Sequence, residues 1–192
     1  EDYFEEVKKL YIQELYENAQ KELDNEKFAD AELKLKEIQR LEPTFKDVTE
    51  LTKFAFVEPK YRMAIRAFDN YEYRKAYFLF EEIIKVSGNY KESQELKDIS
   101  QEKARYTIGI LKFDNSTKIR GMETAISGSI VRDLMSLNDP FLVIIDRTNT
   151  EKLISEQKLG MTGIVDQGTA AKAGEMLGAK AILVGKVVSA EK

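Results

Sequence analysis

A helical repeat domain over residues 1–104, followed by a mixed-sheet α/β domain over residues 105–192, is the fold class this sequence predicts. Three observations predict it. Composition changes sharply near residue 104: the first part holds 24 acidic and 18 basic side chains, 16 of the 19 aromatics and a single glycine, Gly88. The second part holds 10 acidic and 12 basic side chains and the other nine glycines. The first part also repeats itself with a period of 45 residues, and the second alternates short β-branched runs with helical patterns, the signature of crossover-connected strands.

The repeat aligns Phe28 with Tyr73, Ala31 with Ala76, Leu35 with Phe80 and Ile38 with Ile83. It continues through Phe45 with Tyr90, Lys46 with Lys91 and Leu51 with Leu96. Apolar spacings of three and four mark one helical face, and the small Ala within it admits a neighbouring helix closely. Each unit reads as three helices, over 7–24, 28–41 and 45–56, then 60–70, 73–86 and 90–104. Asn25 and Asn70 fall at turns, Pro43 follows the second helix, Pro59 suits the first turn of a new helix, and Thr44 with Asp47 forms a capping pair.

In the second part, residues 107–113 read as a strand closed by a turn at Asp114-Asn115. Residues 119–137 carry Ile126, Ile130, Val131 and Leu134 at helical spacing, and 141–145 is a continuous apolar run, as in a buried central strand. Thr148 with Glu151 forms a capping box for a helix over 150–159. A further helix over 169–177 is stopped by Gly178, and 181–188 is the last strand.

Missing residue types narrow the chemistry. With no His and no Cys, imidazole bases, thiol nucleophiles, disulfides and the usual zinc sites cannot be built from this chain. A net charge of −4 argues against a nucleic-acid footprint. Phosphate-binding loops, dinucleotide turns and nucleophile elbows are absent from the sequence. No apolar run approaches the length of a membrane-spanning helix. No leader or lipid-attachment cysteine is visible at the start, so the expectation is a cytosolic or an already processed chain. The sequence points to no catalysis, cofactor or metal.

Two resemblances add to this reading. Ala19, Phe28, Ala31, Leu35, Ile38 and Pro43, then Ala64, Tyr73, Ala76, Phe80 and Ile83, resemble the tetratricopeptide pattern, with Gly88 where Pro is usual. The unit exceeds that family's ~34 residues, so a third inserted helix is expected. The resemblance implies a partner-binding groove lined by Gln13, Tyr16, Gln20, Tyr61, Ile65 and Asp69, with Tyr16, Tyr61 and Arg62 as anchors. The competing reading of these positions is inter-repeat packing.

The string Ile110-Leu111-Lys112-Phe113-Asp114-Asn115 is followed by Ile144-Ile145-Asp146-Arg147 and by Leu153-x-x-Glu156-Gln157. With Gly163-x-x-Asp166, Ala170, Gly174, Leu177-Gly178-Ala179 and Gly185, it resembles the curli-assembly (CsgG-like) family and penicillin-binding-protein activator lipoproteins. That resemblance implies a fold like the TolB N-terminal or anticodon-binding type. It also implies a bacterial periplasmic location, with a lipid on a cysteine upstream of this chain, and action by binding protein partners. Asp114, Asn115, Arg147, Glu156, Gln157 and Asp166 are then partner-binding or fold-specifying. Asp114-Asn115 reads as a turn or a binding loop. Arg147 reads as an ion-pair partner of Asp114, Asp146 or Glu156, Glu156 and Gln157 as loop holders, and Asp166 as a helix cap. The long alternating strands of a secretion pore are absent between Phe113 and Leu183. Family members add a strand after the last one here, so a C-terminally truncated sheet is expected.

The functional expectation is a non-enzymatic periplasmic scaffold that binds protein partners in assembly or activation of an envelope complex. Alternatives are a periplasmic flagellar motor ring or collar component and a curli-type secretion lipoprotein. Repeat arrays with open faces also self-associate, so a homo-oligomer is a further expectation.

Overall fold

A computed structural model describes residues 2–111, 113–146 and 178–189. The chain divides into two compact units, Glu1–Lys103 and Ala104–Lys192.

The first unit is built from α1 (Asp2–Asp24), α2 (Phe28–Leu41), α3 (Val48–Asp69), α4 (Tyr73–Ser87) and α5 (Ser93–Ala104). The 45-residue period is visible in its packing. Ile12, Ala19, Ala31, Leu35 and Ile38 form one buried cluster with Tyr16, Val48 and Ala55. Their counterparts Val57, Ala64, Ala76, Phe80 and Ile83 form a second cluster with Ala67. Turn geometry repeats too: Glu26 and Tyr71 both adopt positive φ (58° and 62°), as do Lys46 and Lys91 (44° and 49°). After α1, the Lys27 amide reaches back to the Glu22 carbonyl. After α3, the Glu72 amide reaches the Ala67 carbonyl in the same way. These are six-to-one helix closures with a non-glycine residue in the left-handed position.

The expected three-helix unit is corrected. Residues 45–56 and 60–70 do not form two helices; α3 is continuous for 22 residues with Pro59 inside it. The unit is thus a long helix followed by a shorter one, and length rather than a third helix accounts for the 45-residue period. Pro59 carries no N–H, so the Ala55 carbonyl lacks its usual donor four residues on, a defect worth about 3 kcal/mol in a helix interior. Packing on both sides of the proline offsets it. Val48 and Ala55 are held in the first cluster, while Val57, Ala64 and Ala67 are held in the second. Each large buried aliphatic contributes ~1.5–3 kcal/mol.

The second unit contains β1 (Tyr106–Ile110), β2 (Asp114–Asn115), α6 (Met122–Ser136), β3 (Leu142–Asp146), β4 (Ala181–Leu183) and β5 (Lys186–Val187). Three strands lie in the order β3-β1-β4, and β2 pairs with β5. Every pairing among the described residues is parallel, which replaces the expected mixed sheet. The strand expected over 107–113 breaks after Ile110, and the one over 181–188 breaks after Leu183. Asp114 and Asn115, expected as a turn, are strand residues. The helices expected over 150–159 and 169–177, and the Thr148–Glu151 box, lie outside the described residues.

The two breaks are one feature. Ile110 pairs with Leu183 and Asp114 with Lys186, so β1–β2 spends one more residue between the ladders than β4–β5. This is the count of a β-bulge. Amide bonds from Leu111 to the Leu183 carbonyl (3.0 Å) and from Asp114 to the Gly185 carbonyl (2.9 Å) carry the pairing across it. Phe113 is buried there, and its ring occupies the space a side chain at position 185 would need. A Cβ on Gly185 would sit 2.5 Å from Phe113 Cε2.

Two outcomes follow. Pro59→Ala restores the missing donor in α3 and raises stability by about 1–3 kcal/mol, read as a higher melting midpoint. Gly185→Ala lowers stability by roughly 1–3 kcal/mol through overpacking. Adding Phe113→Leu recovers part of that loss, a coupling that a double-mutant cycle measures.

Candidate functional site

The repeat places equivalent polar groups where each long helix meets the turn two elements later. In the first repeat, Tyr16 on α1 is buried and its hydroxyl donates to the Asp47 carboxylate at 2.6 Å. Lys46, held at positive φ, lies 4.3 Å from the centre of the Tyr16 ring and donates to Gln13 Oε1 at 2.8 Å. Phe45 meets Tyr16 edge-to-face. Asp47 makes no side-chain cap at the start of α3; the expected capping partner of Thr44 instead serves Tyr16.

The second repeat has the same plan with charge added. Tyr61 donates to Glu92 at 2.7 Å, Lys91 lies 4.6 Å from the Tyr61 ring centre, and Tyr90 meets Tyr61 edge-to-face. In place of Gln13 stands Glu58, buried on α3. Its carboxylate accepts from Tyr90 at 2.5 Å, from Lys91 at 2.7 Å and from Arg62 Nε at 3.0 Å. Burial pushes the Glu58 carboxyl up, but the bonds from Lys91, Tyr90 and Arg62 outweigh it and hold it below the ordinary carboxylate range. Burial first, then the Glu92 bond, pushes the Tyr61 hydroxyl up to about 12. Burial and then Glu58 push Tyr90 up in the same direction.

Arg62 extends this cluster. Its guanidinium pairs with Glu26 at 2.8 Å and covers the Phe28 ring at 5.3 Å, tying the α1–α2 turn to α3. Beside it opens a cleft of about 510 Å³ between that turn and the middle of α3. Phe28, Ala29, Ala55, Phe56, Pro59 and Met63 form its apolar lining, and Glu26, Lys27, Asp30, Glu32 and Lys60 form the charged part. Lys60 is already engaged, with Glu82 at 2.7 Å and the Phe56 ring at 4.8 Å.

The candidate groove residues therefore divide. Gln13, Tyr16, Tyr61 and Arg62 have their polar atoms committed to neighbours within the unit. Gln20 is exposed, donating to the Tyr16 hydroxyl at 3.0 Å. Ile65 packs against the second cluster, and Asp69 is exposed at the end of α3. Glu58 and the Phe28–Phe56–Met63 cleft were not singled out from sequence. The alignment of Gln13 with Glu58 was the available signal for the first, while the cleft depends on an α3 that runs through Pro59.

In the second unit, Asp114 is half-buried in β2. Asn115 organises the following turn with its whole amide. Its Oδ1 accepts from the Thr117 amide (2.8 Å) and hydroxyl (2.7 Å), and its Nδ2 donates to the Ile119 carbonyl and to Glu123, both at 2.7 Å. This is an Asx-type turn and leaves Asn115 a fold-specifying residue. Arg147, Glu156, Gln157 and Asp166 lie outside the described residues. Among the described residues no group of three or more acidic side chains could hold a metal ion, and no helix is long and apolar enough to cross a membrane.

A family model for the curli production assembly/transport component CsgG matches residues 89–192, over half the chain. The chain belongs to the CsgG family. The CsgG match begins ahead of α5, so it takes in Tyr90, Lys91 and Glu92 as well as the parallel sheet. No curated protein and no solved structure gives a significant match.

The Glu58 cluster sets an acid limit. Because the folded carboxyl titrates below its unfolded value of about 4.3, its contribution is present above that pH and disappears as pH falls through the folded value. Glu58→Gln lowers stability at neutral pH by ~1–3 kcal/mol, as expected for lost charge-assisted bonds. It also flattens the acid limb of a stability–pH profile measured by urea unfolding.

Proposed function

We propose that this CsgG-family chain is a non-catalytic adaptor of the bacterial envelope, binding protein partners during assembly or activation of an envelope complex. The observation that carries the reading is the family match over residues 89–192, whose description names an assembly and transport component. A periplasmic setting, with a lipid anchor on a cysteine upstream, is part of the proposal and is supported by the same family match. The sheet unit, in its TolB-like reading, docks on the complex.

The two-helix repeat, in its tetratricopeptide-like reading, holds a segment of the partner. The cleft at Phe28, Phe56 and Met63 suits that task better than the polar face around Tyr16 and Tyr61. Its lining is apolar and aromatic with charges around it, the make-up of a protein contact core. Met63 is exposed at the cleft, so its substitution spares the core.

Photo-cross-linking in intact cells from a photoreactive residue at position 29, exposed in the same cleft lining, tests this. The wild-type chain is expected to capture an envelope protein. Met63→Glu is expected to cut that product at least several-fold, with an unchanged melting midpoint. Capture of no envelope protein overturns the reading.

A further inference from the structure

The first ten residues of α1 are the least covered helical stretch of the first unit. Tyr3, Phe4, Val7, Leu10 and Tyr11 are all exposed, Tyr3 by 80% and Leu10 by 67%. At 100° per residue these five fall within a 120° arc centred on Val7, a continuous apolar stripe. The Tyr11 hydroxyl donates to Glu37 on α2 at 2.8 Å, which pins the last ring of the stripe.

The repeat shows what does not belong on this stripe. The positions equivalent to Tyr3, Glu6 and Leu10 are Val48, Leu51 and Ala55 on α3, and Ser93, Leu96 and Ser100 on α5. In both later helices the outer two are small or β-branched and fully or nearly fully buried, with a leucine between them. That trio admits a close helix such as α2. In α1 it becomes Tyr, Glu and Leu, too bulky at the ends and charged in the middle for the same approach.

The shoulders of the stripe show what does belong. Glu6 and Lys8 lie 100° to either side of Val7, and neither has an ion-pair partner among the described residues. When two identical helices pack in parallel about a two-fold axis, opposite shoulders meet, so Glu6 of each copy faces Lys8 of the other. In an antiparallel pair the same shoulders meet, placing Glu6 against Glu6 and Lys8 against Lys8.

We propose that the exposed stripe at the start of α1 is a homodimer interface, in which two copies of this chain pair in parallel with Val7 near the axis. The contact is isologous, with Tyr3, Val7 and Leu10 stacked in layers between the copies and two Glu6–Lys8 pairs sealing its sides. The contact is short, so association depends on protein concentration across the micromolar range.

Sedimentation equilibrium of the full chain tests this. The wild type is expected to pass from monomer to dimer as concentration rises. Val7→Glu, at an exposed position and with a melting midpoint expected to match the wild type, abolishes the dimer. Lys8→Glu weakens it about tenfold by setting Glu6 against a carboxylate, and the swap Glu6→Lys/Lys8→Glu restores it. Parallel packing predicts that rescue, because the swap again sets opposite charges against each other across the interface. A monomer at every concentration overturns the proposal, as does a dimer indifferent to Val7→Glu or a swap that fails to rescue. Binding of a synthetic peptide of residues 28–41 to a chain that stays monomeric also overturns it, because the stripe would then take a helix of the α2 kind.

Discussion

Helix α3 has to be buried on behalf of two repeats at once. Its first half closes the cluster built on Ala31, Leu35 and Ile38, and its second half opens the cluster built on Ala76, Phe80 and Ile83. A helix with one such duty can end at a proline; this one cannot, because ending would uncouple the two cores. Continuity through Pro59 is therefore enforced by packing against the local preference of the backbone. Its by-product is an apolar hollow beside the ring, where Phe28, Phe56 and Met63 come together.

The polar face of the same repeats shows how one architecture takes two electrostatic forms. In each, an aromatic–lysine–acid turn folds back on a tyrosine of the long helix, with the lysine at positive φ above the ring. The first copy completes the arrangement with neutral Gln13. The second uses Glu58, and a buried carboxylate must be answered by several donors; Tyr90, Lys91 and Arg62 supply them. Arg62 then reaches Glu26, so the charge in the second repeat also fastens the turn of the first. These residues belong to the internal joinery of the unit, so the proposed contacts fall to the apolar cleft and to the uncovered stripe of α1.

In the second unit, the parallel ladder survives a one-residue mismatch because Phe113 fills the space over Gly185. The large residue and the absent side chain are complementary, and neither has an evident reason without the other. Asn115 closes the same stretch from the far side by using its amide three ways, on Thr117, Ile119 and Glu123.

The sequence by itself determined the 45-residue period, the buried Ala–large–Ile face, the change of architecture near residue 104 and the family of the second part. Each of these rests on residue type and spacing along a short stretch, which local chemistry fixes. Only the tertiary structure decided that α3 runs through Pro59, that Asp114 and Asn115 are strand rather than turn, and that Tyr16 and Tyr61 brace the repeats from within. Those outcomes turn on partners about 30 residues away, Asp47 for Tyr16 and Glu92 for Tyr61, or about 70 away for the β2–β5 pairing. Burial and hydrogen bonding between such distant segments outweigh the local signals of proline, Asp-Asn and an apparently surface tyrosine.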